Sequence, residues 1–195
     1  MTSNQGTRID LSKGSSMKSE RGSDDLRLSN GRNCPEFLIV HESDSSWGTV
    51  EDIDEWHRAR GFRSIGYHYV IGNAYPTAAS WRKHEPVVRL DGKLRTGRSL
   101  GDPDDVDMQI GAHCLGFNTR SIGVCLIGKH GCYSEAQVET LYDFLEGKCR
   151  QYSIPPERIL GHCETESGRR EGKACPSLDM ETTRKIIRSR LMGRK

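Results

Sequence analysis

A histidine and two cysteines stand in one short polar stretch near the C-terminal end of the sequence, GHCETESGRREGKACPS at residues 161–177. Imidazole nitrogen and cysteine thiolate are ligands that zinc prefers, and a catalytic zinc site uses three protein ligands and one water. His162 and Cys175 can supply two of these ligands, since the 12 residues between them include Gly168 and Gly172 and can fold back as a loop. Zinc bound in this way activates water and polarises a carbonyl group, which favours hydrolysis of an amide or an ester.

The third candidate ligand is His41, which ends the apolar run FLIVH at residues 37–41. A short apolar run of this kind predicts a buried strand, and strand ends in open sheets commonly carry functional side chains. His162 has a similar place, because it follows a short strand predicted at residues 158–160. Histidines at strand ends also serve structural roles, so the spacing alone leaves both interpretations open.

These residues must be positioned by the helices and strands around them. The predicted order of those helices and strands indicates a mixed α/β domain with helices over a central sheet. Thr49 and the pair Ser134 and Gln137 are typical helix N-terminal signals, and apolar residues recur at helical spacing after each. Residues 72–85 lack a periodic pattern and are predicted to form a loop. The remaining predictions are helices at 49–60, 135–151 and 180–191, strands at 37–41, 65–71, 121–127 and 158–160, and a hairpin at 86–96 that turns at Asp91-Gly92.

The composition changes near the start of this domain. Residues 1–34 are rich in Ser, Gly, Arg and Asp, which predicts a flexible low-complexity leader before a domain at residues 35–195. The sequence shows no secretory signal and no apolar run that could span a membrane, so we expect synthesis in the cytoplasm and no stable membrane association. The net charge of +2 gives no argument for a nucleic acid partner.

The seven cysteines show neither a disulfide framework nor a CxxC pair. We therefore expect reduced thiols rather than a disulfide scaffold or a zinc finger. Cys125 and Cys149 fall at apolar positions and are predicted to be buried as small hydrophobic residues. His68, inside the strand predicted at 65–71, is also expected to lie in the core.

Seven sequence blocks, spread along the chain and given at the end of this paragraph in chain order, carry a resemblance to a known family. From about residue 36 to 188 the chain is similar to the zinc-dependent N-acetylmuramoyl-L-alanine amidases of the amidase and peptidoglycan recognition protein superfamily, in their phage-lysozyme branch. The resemblance implies a central mixed sheet flanked by helices. The blocks read FLIVHES, TVEDIDEWHRARGF, IGYHYVI, GAHCLGFNTRSIGVCLIG, SEAQVETLYDFL, IPPERILGHCE and GKACPSLD.

The resemblance also implies roles for individual residues. One zinc ion per chain is expected at a set of three ligands, catalytic roles are expected for Tyr67 and Lys173, and substrate contacts are expected at His113 and Asn118. Some relatives carry a glutamate general base where this chain has Cys125, so proton transfer is left to Tyr67, Lys173 or water. The three implied zinc ligands are His41, His162 and Cys175.

The activity implied by the resemblance is hydrolysis of the amide bond between N-acetylmuramic acid and L-alanine in peptidoglycan. We expect a monomeric endolysin that reaches the cell wall after the membrane has been permeabilised. The alternatives are a recognition module that binds muramyl peptide without cutting it, a cytoplasmic amidase that recycles muramyl peptides, and a regulatory protein. Residues 72–85 and 99–107 are longer than in the phage branch, and Glu164 is a candidate to orient a ligand histidine.

Overall fold

A five-stranded sheet forms the centre of the described part of the chain, which in this computed structural model comprises residues 31–98, 103–172 and 174–193. The strand order is β3-β2-β4-β1-β5, and all neighbouring strands are parallel except β2 and β3. The strands are β1 Phe37–Glu42, β2 Tyr69–Ile71, β3 Leu94–Thr96, β4 Ser121–Leu126 and β5 Ile159–Gly161. The predicted mixed α/β fold is therefore confirmed.

Five α-helices accompany these strands within the described residues. Thr49 caps α1, where its side chain accepts a hydrogen bond from the backbone N–H of Asp52 and the Asp52 carboxylate accepts one from Thr49. Ser134 and Gln137 form the same reciprocal cap at the start of α3. The helices are α1 Val50–Ala59, α2 Ala78–Arg82, α3 Glu135–Tyr152, α4 Glu166–Glu171 and α5 Met180–Gly193. No helix in the described ranges is long and apolar enough to cross a membrane.

The two faces of the sheet are covered by different helices. Alternate residues of β1 and β4, such as Leu38 and Val124, are fully buried against Leu141 and Leu145 of α3 and Ile187 of α5. The opposite face packs on α1 through a second buried cluster. Its members are Val50, Ile53, Ile65, Val70, Cys125 and Ile127. Val40 belongs to the cluster against α3 and α5, and because side chains alternate along a strand, the next residue, His41, points to the opposite, α1 face.

The structure between residues 65 and 96 differs from the prediction in three places. Residues 65–68 are not part of the strand, and residues 72–85, predicted as a loop, contain α2. Thr77 caps this helix together with Ser80, a pairing that lacks the usual Glu or Gln signal. The hairpin at residues 86–96 was wrong, because Val88–Leu90 form a 3-10 turn and β3 pairs with β2 instead.

Asn33, which precedes the predicted start of the domain at residue 35, already packs against the rest of the described structure. Its backbone N–H donates to the Met108 carbonyl, and its side-chain amide donates to the carbonyls of Asp107 and Ser121. Asn33 is 4% exposed, so the packed structure begins before residue 35. Residues 1–30 of the predicted leader, residues 99–102 of the longer segment and Lys173 lie outside the described residues.

Candidate metal centre and substrate cavity

Three buried side chains place their donor atoms within 4.8 Å of one another at one edge of the sheet: His41, His162 and Cys175. His41 lies at the end of β1 and His162 directly follows β5. The two strands are parallel neighbours in which Val40 pairs with Gly161, so the next residue of each strand lies beside the other. The imidazole centroids are 4.7 Å apart. Parallel register thus explains how two histidines that are distant in sequence meet.

The chain folds back after His162 to bring Cys175 to these rings. The backbone N–H of Cys163 donates to the Cys175 carbonyl at 2.8 Å. Gly168 is required in the intervening α4, because a Cβ there would stand 1.8 Å from the His162 carbonyl oxygen. Gly172 ends that helix with φ of 65°, a conformation that glycine adopts without strain. The predicted use of both glycines in closing the loop is confirmed.

The segment that carries Cys175 is held to the end of β1 by Glu42. The backbone N–H of Glu42 donates to the Cys175 Sγ at 3.2 Å. The Glu42 carboxylate accepts hydrogen bonds from the Tyr133 hydroxyl at 2.8 Å and the Ser177 hydroxyl at 3.2 Å. The Tyr133 hydroxyl also contacts the carbonyl of Pro176. These contacts fix the position of the thiol through its backbone.

Glu164 contributes to the site in a different way from the one considered above. Its carboxylate accepts two hydrogen bonds from the Arg184 guanidinium, at 2.9 and 3.0 Å, and a third from the backbone N–H of Gly161 at 2.9 Å. Glu164 therefore ties α5 to the backbone just before His162. The Nε2 of His162 lies 3.9 Å from a carboxylate oxygen of Glu171.

The electrostatics of the centre favour a neutral ligand histidine. Burial, reinforced by the neighbouring His162, His57 and His68, holds the pKa of His41 well below its ordinary value. A neutral imidazole keeps a lone pair for a metal ion. The Nδ1 of His41 is 3.9 Å from the Cys175 Sγ, close to the separation of about 3.6 Å that tetrahedral zinc–nitrogen and zinc–sulfur bonds imply. Two imidazoles and one thiol fit zinc, whereas calcium and magnesium take oxygen ligands.

Tyr67 lies beside the metal-ligand cluster on the α1 face. Its ring centroid is 5.0 Å from that of His41 and 5.2 Å from that of His57. Burial, together with the thiols of Cys125 and Cys175, raises the pKa of Tyr67 well above its ordinary value. The phenol is therefore protonated at neutral pH and can donate a hydrogen bond.

His57 is a site residue that sequence reasoning missed. It is 5% exposed on α1, and its Nδ1 accepts the backbone N–H of Gly66 at 2.9 Å, next to Tyr67. Burial and nearby Arg60 lower the pKa of His57 to about 4. The sequence signal for a buried His57 was its position on the apolar face of the helix predicted at residues 49–60. Only the fold shows that this face meets Tyr67.

The cluster opens into a cavity of about 500 Å³. Besides the three metal-ligand candidates, Tyr67 and His57, the cavity is lined by charged and aromatic side chains. Phe62 is exposed at 41% on its rim. The other lining residues include Arg60, His113, His130 and Glu171. A cavity of this size accepts a small-molecule or peptide segment next to the metal ligands.

The two predicted substrate contacts occupy different places. His113 lines the cavity, and its Nδ1 lies 3.0 Å from the Nε2 of His41. Asn118 uses its Oδ1 to accept the backbone N–H groups of His113 and Cys114, at 2.9 and 3.0 Å. Asn118 therefore closes the loop that carries His113. The structure brings Tyr67 and His113 to the metal-ligand cluster.

Comparison with known proteins identifies the family of the chain. A family model described as N-acetylmuramoyl-L-alanine amidase matches residues 30–178, more than half of the chain. The endolysin of Escherichia phage T7 is 28% identical over 139 residues, which cover 68% of this chain and 72% of the endolysin.

Solved structures share the fold. N-acetylmuramoyl-L-alanine amidase LysC from Clostridium intestinale URNW superposes with a TM-score of 0.59 at 22% identity, covering 82% of this chain and 87% of LysC. Drosophila PGRP-LB gives a TM-score of 0.52 at 22% identity, covering 74% of this chain and 75% of PGRP-LB. These likenesses show the same fold, and the family match over residues 30–178 shows that the chain belongs to the N-acetylmuramoyl-L-alanine amidase family.

Proposed function

We propose that this chain is a zinc-dependent amidase that hydrolyses the amide bond between N-acetylmuramic acid and L-alanine in peptidoglycan. The observation that carries the proposal is the meeting of three buried zinc-type donors at one open cavity, in a chain of the amidase family. His41, His162 and Cys175 would hold one zinc ion per chain. Zinc at this position supplies a Lewis acid and a nucleophile derived from water at neutral pH.

Support for a peptidoglycan substrate comes from the relatives and from the cavity. Relatives from several phages are named endolysins, and a variant of Drosophila PGRP-LB was solved in complex with tracheal cytotoxin. On the cavity rim, Arg60 offers a cation for a peptide carboxylate and Phe62 an apolar face. These groups suit a ligand that has a charged stem peptide joined to a sugar.

The catalytic work of the protein groups follows from their protonation states. Attack on the amide carbonyl places negative charge on its oxygen, and a preorganised donor stabilises that charge. Tyr67, which is protonated and lines the cavity beside the cluster, is proposed as this donor. Lys173 is proposed as a second donor from its sequence position alone, two residues before Cys175. The leaving amine takes a proton from water or from one of these groups.

Substrate binding is assigned to the loop between residues 111 and 120. His113 is proposed to contact the muramyl peptide because it lines the cavity. Asn118 is proposed to support this contact by holding the backbone of His113 through its Oδ1. The proposed biological role is that of an endolysin that acts as a monomer on the wall once the membrane has been permeabilised.

The test is an amidase assay on the purified full chain with intact peptidoglycan. Free amino groups of L-alanine should appear, a chelator should abolish their release, and added zinc should restore it. Metal analysis should find one zinc per chain. Activity on soluble muramyl peptides with none on intact peptidoglycan would favour the recycling role over the endolysin role.

A matched pair of cysteine variants tests the ligand set. Cys175→Ser should lose zinc and at least about 100-fold in kcat, because a hydroxyl is a far weaker zinc ligand than a thiolate. Cys163→Ser changes a half-buried cysteine of the same segment and should keep both zinc and activity. Full zinc content and activity in Cys175→Ser would refute the assignment. Release of reducing sugar without new amino groups would indicate a glycosidase.

A further inference from the structure

The ring of His113 occupies a slot beside His41 that is formed by two glycines. A Cβ at Gly111 would lie 2.5 Å from the His113 ring, and a Cβ at Gly123 would lie 2.7 Å from it. Both distances are shorter than real contacts, so no larger residue fits without displacing the ring. The ring of His68 closes the slot, with its centroid 5.4 Å from that of His113. The fold therefore reserves space on the site face of β4 for this imidazole.

A chain of hydrogen bonds runs through this slot from the sheet to the metal-ligand cluster. The Nδ1 of His113 is 3.0 Å from the Nε2 of His41. On its other side, the Nε2 of His113 is 3.4 Å from the hydroxyl of Ser121, which is fully buried in β4. The Ser121 hydroxyl in turn donates to the carbonyl of Phe117 at 2.7 Å.

The direction of each hydrogen bond follows from counting protons. A serine hydroxyl has one proton, and that of Ser121 goes to the Phe117 carbonyl, so Ser121 can only accept from His113. A neutral His113 with its proton on Nε2 has a lone pair on Nδ1 and accepts the Nε2 proton of His41. His41 is then left with a lone pair on Nδ1, the nitrogen nearest to the Cys175 Sγ.

The facing nitrogens of the two rings, His41 Nε2 and His113 Nδ1, are 3.0 Å apart, so a hydrogen bond between them needs a proton on one nitrogen and a lone pair on the other. A neutral imidazole has one donor and one acceptor nitrogen, so fixing one nitrogen fixes the other.

We propose that His113 and Ser121 are positioning residues that hold His41 in the tautomer whose Nδ1 binds zinc. This role extends the substrate contact proposed above for His113, and it rests on the zinc site of the proposed function. Groups that orient a ligand histidine typically change metal affinity by about 10–100-fold when they are removed.

The decisive variants are His113→Leu and His113→Asn in the full chain. Leucine and asparagine have nearly the same shape, but only asparagine keeps an acceptor close to the position of the histidine Nδ1. Zinc affinity, measured by competition with a chromophoric chelator, should fall about 10–100-fold in His113→Leu. It should stay within about threefold of the wild type in His113→Asn. His84→Asn, which changes an exposed histidine that does not line the cavity, should leave the affinity unchanged.

A second readout needs neither zinc nor substrate. Long-range proton–nitrogen NMR of histidine-labelled, metal-free protein should show the His41 proton on Nε2 in the wild type. In Ser121→Ala and His113→Leu the population of this tautomer should fall. A wild-type His41 with its proton on Nδ1 would overturn the proposal, and this holds even if His113→Leu fails to fold.

The outcomes separate this inference from the proposed function. If the wild type binds no zinc, the proposed function fails, while the tautomer of His41 still decides the role of His113. If the wild type binds zinc and both His113 variants weaken it equally, packing of the ring is responsible and the inference is wrong. A change in KM with unchanged zinc affinity and tautomer would leave His113 as a substrate contact alone, against the inference.

Discussion

The buried histidines of this site differ in what their ring nitrogens contact. His41 and His162 direct donor atoms at one point, together with Cys175. The two nitrogens of His68 are both used by the backbone, since one accepts an N–H at 3.0 Å and the other contacts a carbonyl at 2.7 Å. His57 accepts a backbone N–H beside Tyr67. Chemistry at the residue scale is thus set by the partner of each nitrogen rather than by burial alone.

Tyr67 provides the most direct prediction at this scale. Tyr67→Phe should lower kcat by about 100-fold or more, because removing one donor to a developing oxyanion typically costs this much. KM and zinc content should change little, since the ring remains to pack against His41 and His57. Steady-state kinetics and metal analysis of the same preparation measure all three quantities.

The control for this variant is Tyr142→Phe, which removes a hydroxyl from α3, on the far side of the sheet. It should match the wild type in kcat, KM and zinc content. An unchanged kcat in Tyr67→Phe would exclude the phenol as a donor to the reacting carbonyl. Loss of zinc in Tyr67→Phe would show instead that the hydroxyl supports the metal ligands.

Residue types, and for the two histidines their strand-end positions, made the three metal-ligand residues candidates, and the family resemblance made them an expected ligand set. It could not predict the contact between His113 and His41, since that contact depends on the slot that Gly111 and Gly123 leave beside β4. A glycine in a strand pattern signals close approach of another group but does not say which group approaches. The same holds for Glu164, whose partner Arg184 lies on a helix 20 residues later.

At the scale of elements, the segment after β5 is shaped by contacts at both of its ends. Its start is held to α5 through Glu164, and its end is held to β1 through Glu42 and Tyr133. The hydroxyl of Tyr133 reaches both the Glu42 carboxylate and the Pro176 carbonyl, so it joins the strand to the residue that follows Cys175.

Tyr133→Phe should therefore weaken zinc binding without removing a ligand. We expect a loss of about tenfold in affinity, comparable to the effect of other groups that orient metal ligands. Chelator competition on the full chain measures it, with Tyr142→Phe as the matched hydroxyl deletion. Unchanged affinity in Tyr133→Phe would show that the backbone contacts of Cys175 suffice to hold the thiol.

The error in the hairpin prediction has a physical cause at this same scale. The Asp91-Gly92 signal does mark a turn, and Gly92 has φ of 69°. However, the backbone N–H of Gly92 donates to Gly72 and that of Gly72 donates to Lys93, so the turn closes the long connection back onto the end of β2. Local residue types predict that the chain turns. Which strand the chain then pairs with depends on tertiary packing, which local residue types do not determine.

For the whole molecule, the division of the sheet into two faces determines where the chemistry lies. One face is filled by large aliphatic side chains against α3 and α5. The other face of β4 presents Ser121, Gly123 and Cys125, all small, under the rings of His113 and Tyr67. The overall α/β architecture could be predicted from apolar runs and caps. The sequence does not show that the small residues of β4 make room for imidazole rings, because this role depends on the placement of β4 beside β1.

Packing several neutral histidines into this face couples global stability to pH. Burial lowers the pKa of His68 from 6.5 to about 4. In the unfolded chain the same imidazole takes up a proton below about pH 6.5. The folded state therefore binds fewer protons than the unfolded state between these values, so the free energy of unfolding falls as the pH falls from about 6.5 to about 4.

His68→Asn should reduce this pH dependence. Near pH 5 one such histidine contributes a slope of about 1 kcal/mol per pH unit to the free energy of unfolding, and the variant should lose that contribution even though it is less stable overall. Urea unfolding of the zinc-free full chain between about pH 4.5 and 7 measures the slope, because zinc binding has a pH dependence of its own. Equal slopes in His68→Asn and the wild type would mean that His68 takes up its proton in the folded protein as readily as in the unfolded chain.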